Sequence, residues 1–99
     1  VPAHCESAHH MYYVLMPDRA TRDAMLAGLR EHGVHATFHY VPLHSSPAGR
    51  RFTDTEACCP VTDDISGRLL RLPYYNTLSE QDQRVVIDSF IAVAHSLRV

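Results

Sequence analysis

Two histidines, a tyrosine, two serines and a tandem arginine fall in one short stretch of this chain, His39 to Arg51. Imidazole and guanidinium N–H groups and a phenolic hydroxyl are the donors with which proteins hold polar ligands. Arg50 and Arg51 follow the small Gly49 and a polar loop, a placement from which they could grip phosphate oxygens. An exposed pair of solvating arginines fits the same spacing. Ser45 and Ser46 sit where short hydroxyl side chains shape a loop by bonding to its backbone, and that is the role expected of them.

These groups need a rigid element behind them. Val34, Ala36, Phe38 and Tyr40 alternate with His35, Thr37, His39 and Val41, the period-2 pattern of a half-buried strand. Pro42 then removes a ladder donor, and Pro47 and Gly49 close off regular structure. The spacing therefore predicts a strand over 34–41 whose end delivers the loop, as binding sites require. His39 falls on the polar face of that strand. Tyr40 falls in register with Phe38, so a core aromatic and a ligand contact are both open to it. His44 lies beyond Pro42, off the ladder.

Further elements flank this unit. His10–Met16 is a compact apolar run rich in Tyr and Val, expected to form a strand covered on both faces. Pro17 and Asp18 stop it and start a helix with Met25, Leu26 and Leu29 inside and Arg22, Asp23, Arg30 and Glu31 outside. Gly33 ends that helix as a left-handed cap, with Val34 as the apolar contact after it. Thr53–Pro60 reads as irregular. Thr62 is expected to cap a short helix, with Asp63 and Asp64 in its first turn complementing the helix dipole. Leu69–Leu72 reads as a strand ended by Pro73, and Tyr74–Asn76 as a turn. Ser79 caps a last helix, with Asp82 completing a relative of the capping box. Its buried stripe is Val86, Phe90, Val93 and Leu97, widened by Ile87, Ile91 and Ala94. The order predicts an α+β domain, a small and mostly antiparallel sheet with helices packed on one face.

Composition narrows the function. Ninety-nine residues suit one domain with a modest core, and a net charge of −2 leaves no electrostatic footprint for nucleic acid. No apolar run reaches membrane-spanning length and no signal peptide opens the chain. Cys5, Cys58 and Cys59 follow no disulfide or zinc spacing, so reduced thiols of a cytoplasmic protein are expected. Cys58–Cys59 as a redox pair is the alternative. Residues 1–9 read as a flexible tail or interdomain remnant and residues 10–99 as the domain. Starting at Val1, the chain reads like a piece of something longer. His4, Cys5, His9 and His10 allow a metal site on paper but lack a second liganding cluster, so no metal is assigned.

Phe38-His39-Tyr40-Val41-Pro42-Leu43-His44-Ser45-Ser46-Pro47-Ala48-Gly49 resembles the DegT/DnrJ/EryC1/StrS family of pyridoxal-phosphate-dependent sugar-nucleotide aminotransferases. A second match lies in Ile65-Ser66-Gly67-Arg68-Leu69-Leu70-Arg71-Leu72-Pro73, followed by Leu78-Ser79-Glu80-Gln81-Asp82. The resemblance implies the C-terminal small domain of a fold-type I aminotransferase. It implies a reaction moving an amino group from glutamate to a TDP-4-keto-6-deoxy sugar, for cell-surface polysaccharide or lipopolysaccharide precursors, in a homodimer without nucleic acid or membrane. His44, Tyr40 and His39 would then contact the sugar nucleotide, with Arg50 beside them. No catalytic or cofactor-binding residue is assigned here. The nine basic residues are all arginine, and pyridoxal phosphate is held through a lysine Schiff base, so the cofactor would sit mainly on the larger domain. A free-standing small-molecule-binding or regulatory module and a histidine-rich metal-binding protein are the rival readings.

Overall fold

The computed structural model describes residues 2–52 and 58–99. In chain order they form β1 (Tyr13–Leu15), α1 (Arg19–Glu31) and β2 (Thr37–Phe38), then two single 3-10 turns, Leu43–Ser45 and Gly49–Arg51. After these come α2 (Pro60–Arg68), β3 (Leu69–Arg71) and α3 (Glu80–Leu97). The sheet order is β1-β3-β2, with β3 antiparallel to both neighbours. The α+β expectation holds. β1 and β2 run parallel with β3 inserted between them, and α1 makes the crossover.

Register decides which residues the helices cover. Val14, Leu70 and Phe38 lie opposite one another and share a face. On it Leu70 joins Met16, Met25, Leu29, Val34 and Val93 in one core, flanked by half-buried Val86, Phe90, Ala94 and Leu97. Met25, Leu29 and Leu70 are fully buried. Removing such side chains from water is the main favourable term holding α1 and α3 to the sheet.

The other face corrects one expectation. Tyr13 and Leu15 are exposed, so β1 is covered on one side only among the described residues. Its pairing does extend past its three strand residues, because Leu72 N–H donates to Tyr12 and Met16 N–H donates to Arg68.

The helix ends follow their capping residues. Asp18 accepts the Thr21 N–H at 2.7 Å, opening α1. At its close Gly33 takes φ +74°, its N–H donates to Arg30, and the buried Val34 N–H donates to Leu29 at 2.9 Å. That pair of bonds is a Schellman motif. It also shortens the next strand: Val34 is spent on the cap, and only Thr37–Phe38 of the expected 34–41 joins the ladder. α2 begins differently from expectation. Cys59 occupies the cap position and Pro60 the first helical one, where its fixed φ and missing N–H cost nothing. Thr62 therefore lies inside the helix. Asp63 is in the first turn, whereas Asp64 takes a two-pronged bond from Arg68 at 3.0 and 2.7 Å. Ser79 caps α3, but Asp82 receives the Ser79 hydroxyl at 2.7 Å instead of reaching the cap N–H.

Two side chains changed sides. Arg22, expected outside, is buried. Its Nε donates to Asp23 at 2.7 Å, and its guanidinium lies 5.7 Å from the centre of the Phe38 ring. Phe38, expected in the core, is 51% exposed on the edge strand β2, where the Arg22 guanidinium lies over its ring. Ile87 and Ile91 are exposed as well. With Tyr12, Tyr74, Tyr75 and Phe90 they line an open cleft of about 570 Å³ between α3 and the strands.

The Asp18 cap makes a pH prediction. The Thr21 N–H bond, then the Thr21 side chain, hold the Asp18 carboxyl below its usual range. A depressed folded pKa contributes stability that is complete above the unfolded value of about 3.9 and is lost as pH falls through the folded one. Asn caps about as well as Asp but does not titrate in this range. The stability of the native chain relative to Asp18→Asn is therefore expected to be flat above about pH 5 and to decline below about pH 4. Denaturant unfolding at a series of pH values reads it, and a flat difference down to pH 2 would contradict it.

Candidate functional site

The stretch after β2 has too few ladder bonds to stay in the sheet, so it is built from turns that bond to themselves. Ser45 and Ser46 N–H groups return to Pro42 at 3.1 and 3.0 Å. The Ser45 hydroxyl donates to Pro42 at 3.2 Å and the Ser46 hydroxyl to Leu43 at 2.9 Å, while Gly49 N–H donates to the Ser46 oxygen at 2.9 Å. Both hydroxyls are thus engaged in the loop itself. Gly49 is buried against this coil: a Cβ there would fall on the Leu43 carbonyl.

On this frame the candidate ligand groups separate into two pairs of surroundings. Tyr40 is 75% exposed, which removes the core-aromatic reading. The His39 and Tyr40 rings are 4.9 Å apart and tilted by 59°. His39 is half-buried, not on an open polar face, and its Nδ1 is buried without a hydrogen-bond partner among the described residues. Buried polar atoms are rarely left so, and one beside an exposed tyrosine suits a group that receives or donates a bond when ligand arrives.

His44 points elsewhere. Its side chain is 14% exposed and its Nε2 lies 3.0 Å from Asp63 Oδ1 in α2. Arg50 and Arg51 are exposed on the second 3-10 turn, and neither side chain is bonded among the described residues. The structure therefore joins His39 to Tyr40 and His44 to Asp63.

No group of three or more His, Cys, Asp or Glu is placed to hold an ion among the described residues. Cys5, Cys58 and Cys59 are all free thiols. No helix among the described residues is long and apolar enough to cross a membrane.

Comparison with known proteins places this frame. Residues 1–91 match the DegT/DnrJ/EryC1/StrS aminotransferase family. The chain belongs to that family. The dTDP-4-dehydro-2,3,6-trideoxy-D-glucose 4-aminotransferase of Saccharopolyspora spinosa is 32% identical over 93 residues, 92% of this chain and 23% of that protein. The crystal structure of the aminotransferase TlmJ from Streptoalloteichus hindustanus superposes with a TM-score of 0.85 at 33% identity, covering 100% of this chain and 26% of that one. The chain thus spans about a quarter of the length of these relatives.

DegT/DnrJ/EryC1/StrS aminotransferases are generally dependent on pyridoxal phosphate. These 99 residues do not fit that group's covalent anchor, since they include no lysine. What the chain does offer is a braced loop with exposed donors. Asp63 is the residue of this site that the sequence reading missed. It was visible there only as a first-turn carboxylate, because its partner is nineteen residues away and on another element.

Proposed function

We propose that this chain is the C-terminal, substrate-recognising domain of a pyridoxal-phosphate-dependent aminotransferase, with residues 1–9 connecting it to the larger domain. The whole enzyme moves an amino group from glutamate to carbon 4 of a TDP-4-keto-6-deoxy sugar. In doing so it makes precursors of cell-surface polysaccharide or lipopolysaccharide in the cytoplasm, as a homodimer. The larger domain supplies the lysine and most cofactor contacts. The Phe38–Gly49 loop resembles that of the TDP-4-amino-4,6-dideoxygalactose transaminase.

The observation that carries this reading is the loop: Tyr40 exposed, His39 beside it with an Nδ1 unpartnered among the described residues, and Arg50 exposed on the same coil. Such groups hold a polar, anionic ligand and move no proton of the reaction. Tyr40 contacts the sugar or diphosphate through its hydroxyl. His39 and His44 bond sugar or phosphate oxygens, and Arg50 adds charge near the diphosphate. The dTDP-linked 4-dehydro sugar in the name of the Saccharopolyspora relative supports a nucleotide sugar as ligand.

The test supplies the intact protein that carries this chain with glutamate and a TDP-4-keto-6-deoxy sugar. Product is read by mass and by configuration at carbon 4. An amino sugar is expected, together with roughly a tenfold rise in KM for the sugar nucleotide in Tyr40→Phe, the loss of one hydrogen bond to a charged ligand. An enzyme that takes an amino group from glutamate yet leaves this sugar untouched would overturn the substrate.

A further inference from the structure

We infer that the open cleft beside α3 is the seat of the polypeptide that precedes Val1 in the intact protein. This rests on the proposed reading only in taking that polypeptide to be the larger domain.

The cleft exists because α3 carries more apolar surface than the sheet covers. Phe90 and Val93 meet the core, and Ile87 and Ile91, one turn apart, widen the same stripe past it. The sheet ends at this place, where β1 starts at Tyr13 and antiparallel β3 stops at its partner Arg71. Ile87 and Ile91 are left 54% and 47% exposed, and Tyr12, Tyr74 and Tyr75 in the same cleft are half in water too. No residue lining the cleft carries a charge, and its polar side-chain groups are the tyrosine hydroxyls, Asn76 and Gln83. A contiguous apolar patch rimmed by polar groups marks an interaction site, and aromatic residues without charges mark the centre of one. The surface therefore fits an apolar, uncharged segment of protein.

The occupant follows from what lies outside this chain and where it arrives. The matched part is 23% and 26% of the two relatives, and it is their C-terminal part, so about three quarters of such a protein comes before it. That length reaches this domain at the cleft itself. Tyr12 lines the cleft, and its carbonyl accepts the Leu72 N–H at 3.1 Å. Residues 2–10, just before it, are exposed and form no helix or strand. Fully extended, the stretch from Val1 to Tyr12 spans at most about 40 Å. A tether that short gives the upstream polypeptide an effective concentration of about millimolar, which favours it over any free partner.

The experiment uses the intact protein with a benzophenone amino acid in place of Ile87, in a subunit-exchanged mixture of unlabelled and ¹⁵N-labelled molecules. Irradiation followed by mass analysis identifies the joined peptides. They are expected to link this position to a peptide upstream of Val1, as light–light and heavy–heavy pairs alone. Ile87→Asp places a charge in the covered cleft, so protease cleavage within residues 1–9 should rise roughly tenfold. Ala92→Asp, at an exposed position of α3 outside the cleft, should leave that rate unchanged. Mixed light–heavy pairs, which report a second copy seated on the cleft, overturn the inference. So do crosslinks confined to residues 1–99, or equal cleavage rates in the two Asp variants. An intact protein that docks in this way but leaves the sugar nucleotide untouched overturns the proposed substrate and not the inference.

Discussion

Leu70→Ala is expected to remove about 2–5 kcal/mol of stability, toward the upper end of what emptying a core position costs. Leu70 is fully buried on the central strand, paired with Val14 on one side and Phe38 on the other. Met25, Leu29 and Val93 from two helices close over the same core. A void there is walled on every side by elements that are themselves fixed, so little of it can collapse. Domains are stable by only about 5–15 kcal/mol in all, so a loss of that size unfolds a large fraction of the molecules or leaves them close to it. Phe38→Ala, in the next strand and on the same face, should cost much less because half of that ring is already in water. Hydrogen exchange of α1 and α3 amides in the intact protein measures both. Equal losses would mean that the sheet edge is covered in a way the described residues do not show.

Gly49→Ala is expected to disable the loop. A Cβ at this position falls on the Leu43 carbonyl, which is backbone and also accepts the Ser46 hydroxyl. A flexible side chain could move aside, but a carbonyl cannot without opening the turn that carries His44. The stability loss should be about 1–3 kcal/mol, the usual cost of overpacking. The functional loss should be larger, more than tenfold in kcat/KM for the sugar nucleotide, because Tyr40, His44 and Arg50 all hang on this coil. Gly67→Ala is the control, since a Cβ there meets nothing within 4 Å. Steady-state kinetics and urea unfolding of the two variants separate the effects. Native kinetics in Gly49→Ala would show that the coil's shape does not matter to ligand.

The parts of this protein that local chemistry governs were readable one residue at a time. Asp18 and Ser79 cap helices because their side chains reach N–H groups three residues on. Gly33 closes α1 because the cap needs a positive φ. Ser45 and Ser46 bond to neighbours within three residues. The class of the fold follows from such short-range signals, and the family from the resemblance carried by the Phe38–Gly49 and Ile65–Pro73 stretches.

Tertiary packing decided the rest. The alternation at Val34–Tyr40 was read as one buried face, but the Schellman cap consumed Val34 and the sheet ended at β2, leaving Phe38 and Tyr40 without a layer above them. Arg22 looked like a surface residue on its helix, yet α1 lies where that side chain meets Asp23 and the Phe38 ring. Asp63 looked like a dipole residue until α2 set it against His44. Each depends on which element lands beside which. Periodicity states only that a face is apolar or polar; what covers that face is set by long-range packing, whose partners are far apart in the chain.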